Sequence, residues 1–332
     1  MLFRSFVLIY AMKTVSVLTA VLFGCVCVHT WAADAYPNRS VRFIVPYTPG
    51  AINDFVARLT AQKLTDAWGR QVVVDNRPGG GTLIGTDLVA KAAPDGHTLL
   101  LAPTALAINV SLYPKLPYDT LRDFAPVTQI GTGPYLMVCA PPLAAKSVKE
   151  VIALAKAKPG ALSYASTGSG GSAHLMGEMF KSMAGIDMQH IPYKGLAPGL
   201  TDVMSGQVSC TFGTMVAVGS HVKSGRLRAI ALTGNARSKA APDTPTIAEA
   251  GYPDYHATGW WGIVVPAATP KALINKLHTD TARLIKQQDV RDKLEVQGVD
   301  IIGNTPDEFG KFIREEITRW ARAVKASGAK PD

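Results

Sequence analysis

VRFIVPY (41–47) is an apolar run interrupted only by Arg42. It ends on Thr48-Pro49-Gly50, and a helical run starts near Asn53-Asp54. A short apolar strand, a glycine turn and a helix make the repeating unit of an α/β fold whose strands are covered on both faces. The unit recurs. QVVVD (71–75) is broken by Pro78-Gly79-Gly80-Gly81 before a helix through about Ala93, and HTLLLA (97–102) is the third strand. The spacing predicts an α/β fold with largely parallel sheets.

Between Pro117 and Pro142 the pattern changes: FAPVTQIG and YLMVCAP follow one another with no helix between. A second α/β series then begins with the helix SVKEVIALAKA, the strand LSYAS, the turn TGSGGS and the helix AHLMGEMFKSMAG. MQHIPY, VSCTFGT and LRAIALT continue it. After GWWGIVVPA (259–267), Ile274, Leu277, Thr281 and Leu284 repeat at helical spacing, as do Ile313, Ile317, Trp320 and Val324. These helices are expected to return to the first lobe. The chain would then cross between lobes twice, as a clamshell binding protein does. The expected division is 34–134 plus 260–332 for lobe 1 and 135–259 for lobe 2.

Residues 1–33 read as a secretory signal peptide. Arg4 and Lys13 precede the apolar run TVSVLTAVLFGCVCV (14–28), and small residues follow, with cleavage expected between Ala32 and Ala35. The run is short for a membrane span of about 20 residues. Leu22-Phe23-Gly24-Cys25 is a poor lipobox, and Met12 is a second possible start. About 300 residues remain, more than one core usually accommodates. The mature protein is expected to be exported.

The formal charge is +9, of which the signal carries +2, leaving +7. Lys and Arg are scattered among acids, as in KSVKE and RDKLE, which disfavours nucleic acid and suits a small anion. Cys25 and Cys27 leave with the signal. Cys139 and Cys210 lie in strand-like runs, either as two buried thiols or as a disulfide. No cofactor and no metal site is expected.

Three turns sit between a strand's C-terminal end and a helix's N-terminus, where open α/β sheets bind ligands and where free N–H groups suit an anion. The first is Tyr47-Thr48-Pro49-Gly50-Ala51, running into Asn53 and Asp54, either of which is a good N-cap. The second is Ser166-Thr167-Gly168-Ser169-Gly170-Gly171-Ser172, with His174 behind it; hydroxyls and approachable backbone make it an anion cradle. The third contains Thr104 and Ala105. Lys194 and Gly195 are further candidates, as are Thr214 and Met215 at the end of the VSCTFG strand. Neither G-x-x-x-x-G-K-[ST], H-E-x-x-H nor G-x-S-x-G occurs, and no acid is placed to orient His174 against Ser169, so catalytic residues are not expected. The alternatives are a ligand-sensing subunit for a membrane receptor kinase and a secreted hydrolase using Ser166 or Ser169.

VRFIVPYTPGAINDFVARLTAQKL, VVVDNRPGGGTLIGTDLVAKAAPDGHTLL, LPYDTLRDFAPVTQIG, LSYASTGSGGSAHLMGEMF, HIPYKGLAPGLTDVMSGQV and PDTPTIAEAGYP together resemble the substrate-binding proteins of tripartite tricarboxylate transporters, the Bug family. The six segments occur in order across nearly the whole mature chain. The resemblance implies a two-lobed periplasmic binding protein of type II. Its loops would clasp a carboxylate (a di- or tricarboxylate, an acidic amino acid or an aromatic acid) through backbone groups and waters. It also implies a monomer that delivers to an inner-membrane permease. One departure stands out. The family usually has two glycines after the second proline of the first loop, and here the second is Ala51, which restricts φ > 0 and adds a methyl near the ligand.

Overall fold

The computed structural model describes residues 36–331. The strands in chain order are β1 (Val41–Val45), β2 (Val72–Asn76), β3 (Thr98–Pro103), β4 (Phe124–Pro134), β5 (Leu136–Cys139), β6 (Ser163–Ser166), β7 (Gln189–Pro192), β8 (Cys210–Gly213), β9 (Arg228–Leu232), β10 (Thr258–Pro266) and β11 (Asp300–Ile301). The helices are α1 (Ile52–Trp68), α2 (Leu83–Ala90), α3 (Ala105–Leu112), α4 (Val148–Ala157), α5 (Ser172–Ala184), α6 (Leu196–Ser205), α7 (Met215–Lys223), α8 (Lys271–Ile285), α9 (Gln288–Val296) and α10 (Pro306–Ser327). The signal-peptide reading, with Cys25, Cys27, Met12 and the cleavage site, lies outside the described residues.

Two sheets form. The first has the order β11-β4-β10-β3-β1-β2 and the second β7-β6-β8-β5-β9. β1 lies between β2 and β3, parallel to both, which explains its apolar run: Phe43, Ile44 and Val45 are fully buried, as are Leu99, Leu100 and Leu101 of β3.

The sheets are mixed, which corrects the expectation of largely parallel ones. β10 pairs antiparallel with β3 and β4, and β5 pairs antiparallel with β8 and β9. Both are the strands that receive the chain after it changes sheet. Each enters against the direction of its neighbours.

The two crossings are tied together. Tyr135 alone separates β4 from β5. Its N–H donates to Thr233 Oγ1 at 2.8 Å, and the Thr233 N–H donates to the Tyr135 carbonyl at 2.9 Å. The Ala257 N–H, just before β10, donates to the Thr233 carbonyl at 2.9 Å. The outgoing and returning segments therefore share hydrogen bonds where the sheets meet.

α10 starts with a capping box, Thr305 with Glu308, and has Pro306 in its first turn. Phe309, Ile313, Trp320 and Val324 form its buried face. Glu316 is also inside, accepting from the indoles of Trp260 and Trp320 at 3.0 and 2.9 Å and pairing with Arg319 at 2.8 Å. α10 packs on α3 and β4 and reaches across to α5. Cys139 and Cys210 stand directly opposite in the β5–β8 register and form a disulfide, deciding between the two readings of these cysteines.

Candidate functional site

Because β1, β2 and β3 run parallel, the loops that follow them leave the first sheet at one edge. The loops after β6, β7 and β8 do the same in the second sheet. Several of these loops open a helix, so unbonded N–H groups and about half a positive charge collect at each edge.

In the first loop Tyr47 is half-buried, while Thr48, Pro49, Gly50 and Ala51 are exposed. The N-cap of α1 is Ala51, not Asn53 or Asp54, and it makes no side-chain cap bond. Asp54 caps from inside the first turn instead, accepting from the Gly50 N–H at 3.1 Å. It also accepts from Arg58 Nε at 2.9 Å and Asn76 Nδ2 at 3.0 Å. Burial pushes this carboxyl up. The bonds from Arg58, Gly50 and Asn76, with the Arg58 charge, outweigh burial and hold it below the ordinary 3.8. Asn53 accepts from the Trp261 indole N–H at 2.8 Å, which fixes the helix start against β10. Gly50 has φ +93° and Ala51 φ −89°. The left-handed position is therefore Gly50 alone. The alanine fits without strain and adds only its methyl.

The second loop is built around Ser166, which is buried (1 % exposed) at the end of β6. Its hydroxyl donates to the Gly168 carbonyl at 3.0 Å, accepts from the Gly168 N–H at 3.2 Å and meets His190 Nε2 at 2.6 Å. The Gly170 N–H donates to His174 Nδ1 at 2.9 Å. His174 is buried in the first turn of α5, so it supports the loop from beneath. Gly171 caps α5 without any side-chain bond. Thr167 is exposed, and Ser169 and Ser172 are half-buried.

Elsewhere, Thr104 is buried and its hydroxyl accepts from the Trp260 N–H at 3.0 Å, while half-buried Ala105 opens α3. Lys194 is exposed, and Gly195 caps α6 with φ +104°. The Tyr193 N–H donates to the Ser166 carbonyl at 3.0 Å, tying this turn to the second loop. Thr214 is the N-cap of α7 and Met215 its first residue; both lie past the end of β8.

The two edges meet. A Cβ at Gly170 would overlap Leu112 of α3, and one at Gly298 would come within 2.6 Å of Met215 Cγ. Tyr135 shares a hydrogen bond with Ser172, and its phenol lies within electrostatic reach of Tyr47. Burial raises both phenols above their ordinary 10, so each stays a neutral donor. Tyr135 and His190 were not among the sequence candidates. Tyr135 carried a faint signal, a lone aromatic directly after a strand-ending proline. His190 carried none, because its partners lie on other elements. Among the described residues no group of three His, Cys, Asp or Glu could hold a metal ion.

Two open α/β sheets joined by paired crossings, with helix-starting loops at facing edges, define a two-lobed clamshell solute-binding protein. Residues 56–329 match the tripartite tricarboxylate transporter family receptor. Protein BugT of Bordetella pertussis is 40 % identical over 301 residues, covering 90 % of this chain and 92 % of that one. The structure of Rpa4515 from R. palustris with adipate superposes with a TM-score of 0.83 at 33 % identity, covering 90 % of this chain and 100 % of that one. MatC from Rhodopseudomonas palustris with bound malate gives 0.78 at 29 % identity, covering 87 % and 100 %. The chain belongs to the tripartite tricarboxylate transporter receptor family. It is a solute receptor, not an enzyme.

Proposed function

We propose that this receptor works in the periplasm, captures a small carboxylate between lobes 34–134 plus 260–332 and 135–259, and delivers it to an inner-membrane permease of the tripartite type. The observation that carries the reading is the Ser166–Ser172 loop, which leaves the N-terminus of α5 without a side-chain cap and is linked through Tyr135 to Tyr47 of the first loop. Relatives of the same fold hold adipate and malate, both carboxylates. The Ser166 hydroxyl is saturated by Gly168 and by His190 of β7, so it shapes the site. Thr167, Ser169, Ser172, Tyr47 and the backbone of 48–51 are the groups proposed to meet the ligand. Thr48, Pro49, Gly50, Ala51, Thr104, Ala105, Gly168, Gly170, Lys194, Gly195, Thr214 and Met215 complete the proposed lining. Closure follows if the ligand binds the closed form more tightly than the open one.

The test is a thermal-shift and calorimetric screen of mono-, di- and tricarboxylates, acidic amino acids and aromatic acids, with sugars and cations as controls. Stabilisation by one class of carboxylate is expected. Stabilisation by sugars or cations alone would overturn the reading.

A further inference from the structure

We propose that His174 and His190 are positioning residues: a stacked imidazole pair that sets the conformation of the Ser166–Gly171 loop and so aims its backbone donors at the ligand. The proposal deepens the carboxylate-capture reading and rests on it.

The rings come from different elements, His174 from the first turn of α5 and His190 from the edge strand β7. Their centroids are 3.7 Å apart and their planes 9° from parallel. Each ring holds a different point of the same loop. His174 Nδ1 accepts from the Gly170 N–H at 2.9 Å, so that nitrogen carries no proton and the neutral ring has its proton on Nε2. Nε2 lies 4.0 Å from Glu178 Oε1.

The Ser166 hydroxyl has one proton and two lone pairs. It accepts from the Gly168 N–H at 3.2 Å, and its proton and remaining lone pair serve the Gly168 carbonyl at 3.0 Å and His190 Nε2 at 2.6 Å, the direction of the last bond following the imidazole tautomer. The stack thus connects the loop's first residue to Gly170. Glu178 is itself held by the Tyr164 hydroxyl at 2.6 Å and Lys181 Nζ at 2.8 Å, and the Tyr164 ring lies against His190 at 5.1 Å. Gly168 and Gly170 adopt φ +126° and +73°, which glycine alone takes easily. Without the two imidazoles the backbone of such a segment has many alternatives, and the N–H groups at the start of α5 lose their fixed direction.

The test replaces each ring by an amide of matching reach. Asn at 174 keeps an acceptor near the Nδ1 position, Gln at 174 carries it one bond farther, and Gln at 190 keeps a donor near Nε2. Two readouts are taken on the full mature chain. One is amide hydrogen exchange at Gly170 and Gly168 without ligand. The other is the Kd for the tightest carboxylate found in the screen.

Expected is a rise in Gly170 exchange of about ten-fold or more in His174→Ala and His174→Gln, near-wild-type exchange in His174→Asn, and Kd following the same order. His190→Ala is expected to raise Gly168 exchange and weaken binding, and His190→Gln to restore both. Equal Gly170 exchange in wild type and His174→Ala would overturn the proposal. So would Asn and Gln behaving alike at 174. If His174→Ala fails to fold, the Asn and Gln pair still decides. Exchange needs no ligand, so a wild type that binds no carboxylate would sink the capture reading, and the exchange contrast would still report on the pair.

Discussion

Met215, the first residue of α7, lies over Gly298, the middle of the three residues between α9 and β11, so closely that a Cβ at 298 would sit 2.6 Å from its Cγ. One residue follows a strand of the second sheet and the other precedes a strand of the first. The contact therefore joins the regions of the two sheets in this structure. The ion pair Lys239–Glu295, at 2.9 Å, joins the same two regions, but its lysine side chain is 71 % exposed and the pair contributes little. Gly298 has φ +72°. Alanine there adds strain of about 1 kcal/mol in any conformation and a clash with Met215 only when the lobes touch. Gly298→Ala is expected to lower Tm slightly and to weaken ligand binding several-fold. Against a Met215→Ala background the same glycine replacement should still lower Tm but no longer weaken binding. Calorimetry with a bound carboxylate checks both, and unchanged affinity in the single variant would remove this contact from the ligand-bound form.

Asp54 gives a pH prediction. Its folded value lies below the ordinary 3.8, so the folded state binds this proton less tightly than the unfolded chain does. The stability it adds is complete above about pH 4 and is lost as the pH falls below that toward the lowered value. Asp54→Asn is expected to cost roughly 1–3 kcal/mol at pH 7, since a buried acceptor of three donors loses its charge. The difference from wild type should shrink in urea melts below pH 3.5 or so. A constant difference across pH would refute the assignment.

The first loop separates two adjacent positions. Gly50→Ala forces a side chain into φ +93° and is expected to destabilise by about 1–2 kcal/mol while weakening binding. Ala51→Gly should change stability by only a few tenths of a kcal/mol, because the position is an ordinary extended N-cap. If it shifts the order of preferred carboxylates, the Ala51 methyl touches the ligand. A melt and a ligand panel on both variants are sufficient.

The Cys139–Cys210 bridge closes a loop spanning 71 residues between paired strands. The double replacement by Ala is expected to cost about 2–4 kcal/mol, with ligand affinity within about two-fold, because the bridge is buried in the second sheet away from the loops. Loss of binding in a folded double variant would contradict this.

Most of the strands were legible because their apolar runs are short and punctuated by glycine and proline. β1, β3 and β10 announce themselves this way, and the helical spacing of Ile313, Ile317, Trp320 and Val324 places α10. The cap of α1 was misplaced. Asp54 carries the right chemistry for an N-cap, but its carboxylate works backward from the third position of the helix. The reversed direction of β5 and β10 was not legible either, because an apolar run does not state which way it enters a sheet.

The order of elements, the glycine turns after the strands and the shortage of enzyme signatures were fixed by local composition. The element order and the turns point to an α/β fold with glycine loops at helix starts, and six segments in order resemble one family. Which hydroxyls are already engaged inside the protein was decided by the tertiary structure. Ser166 and Thr104 look like donors in the sequence, yet each is buried and occupied: Ser166 by Gly168 of its own loop and by His190 from β7, Thr104 by the Trp260 backbone N–H. A side chain's availability depends on what the fold places beside it, and contacts such as His174 with His190 join positions that no local pattern connects.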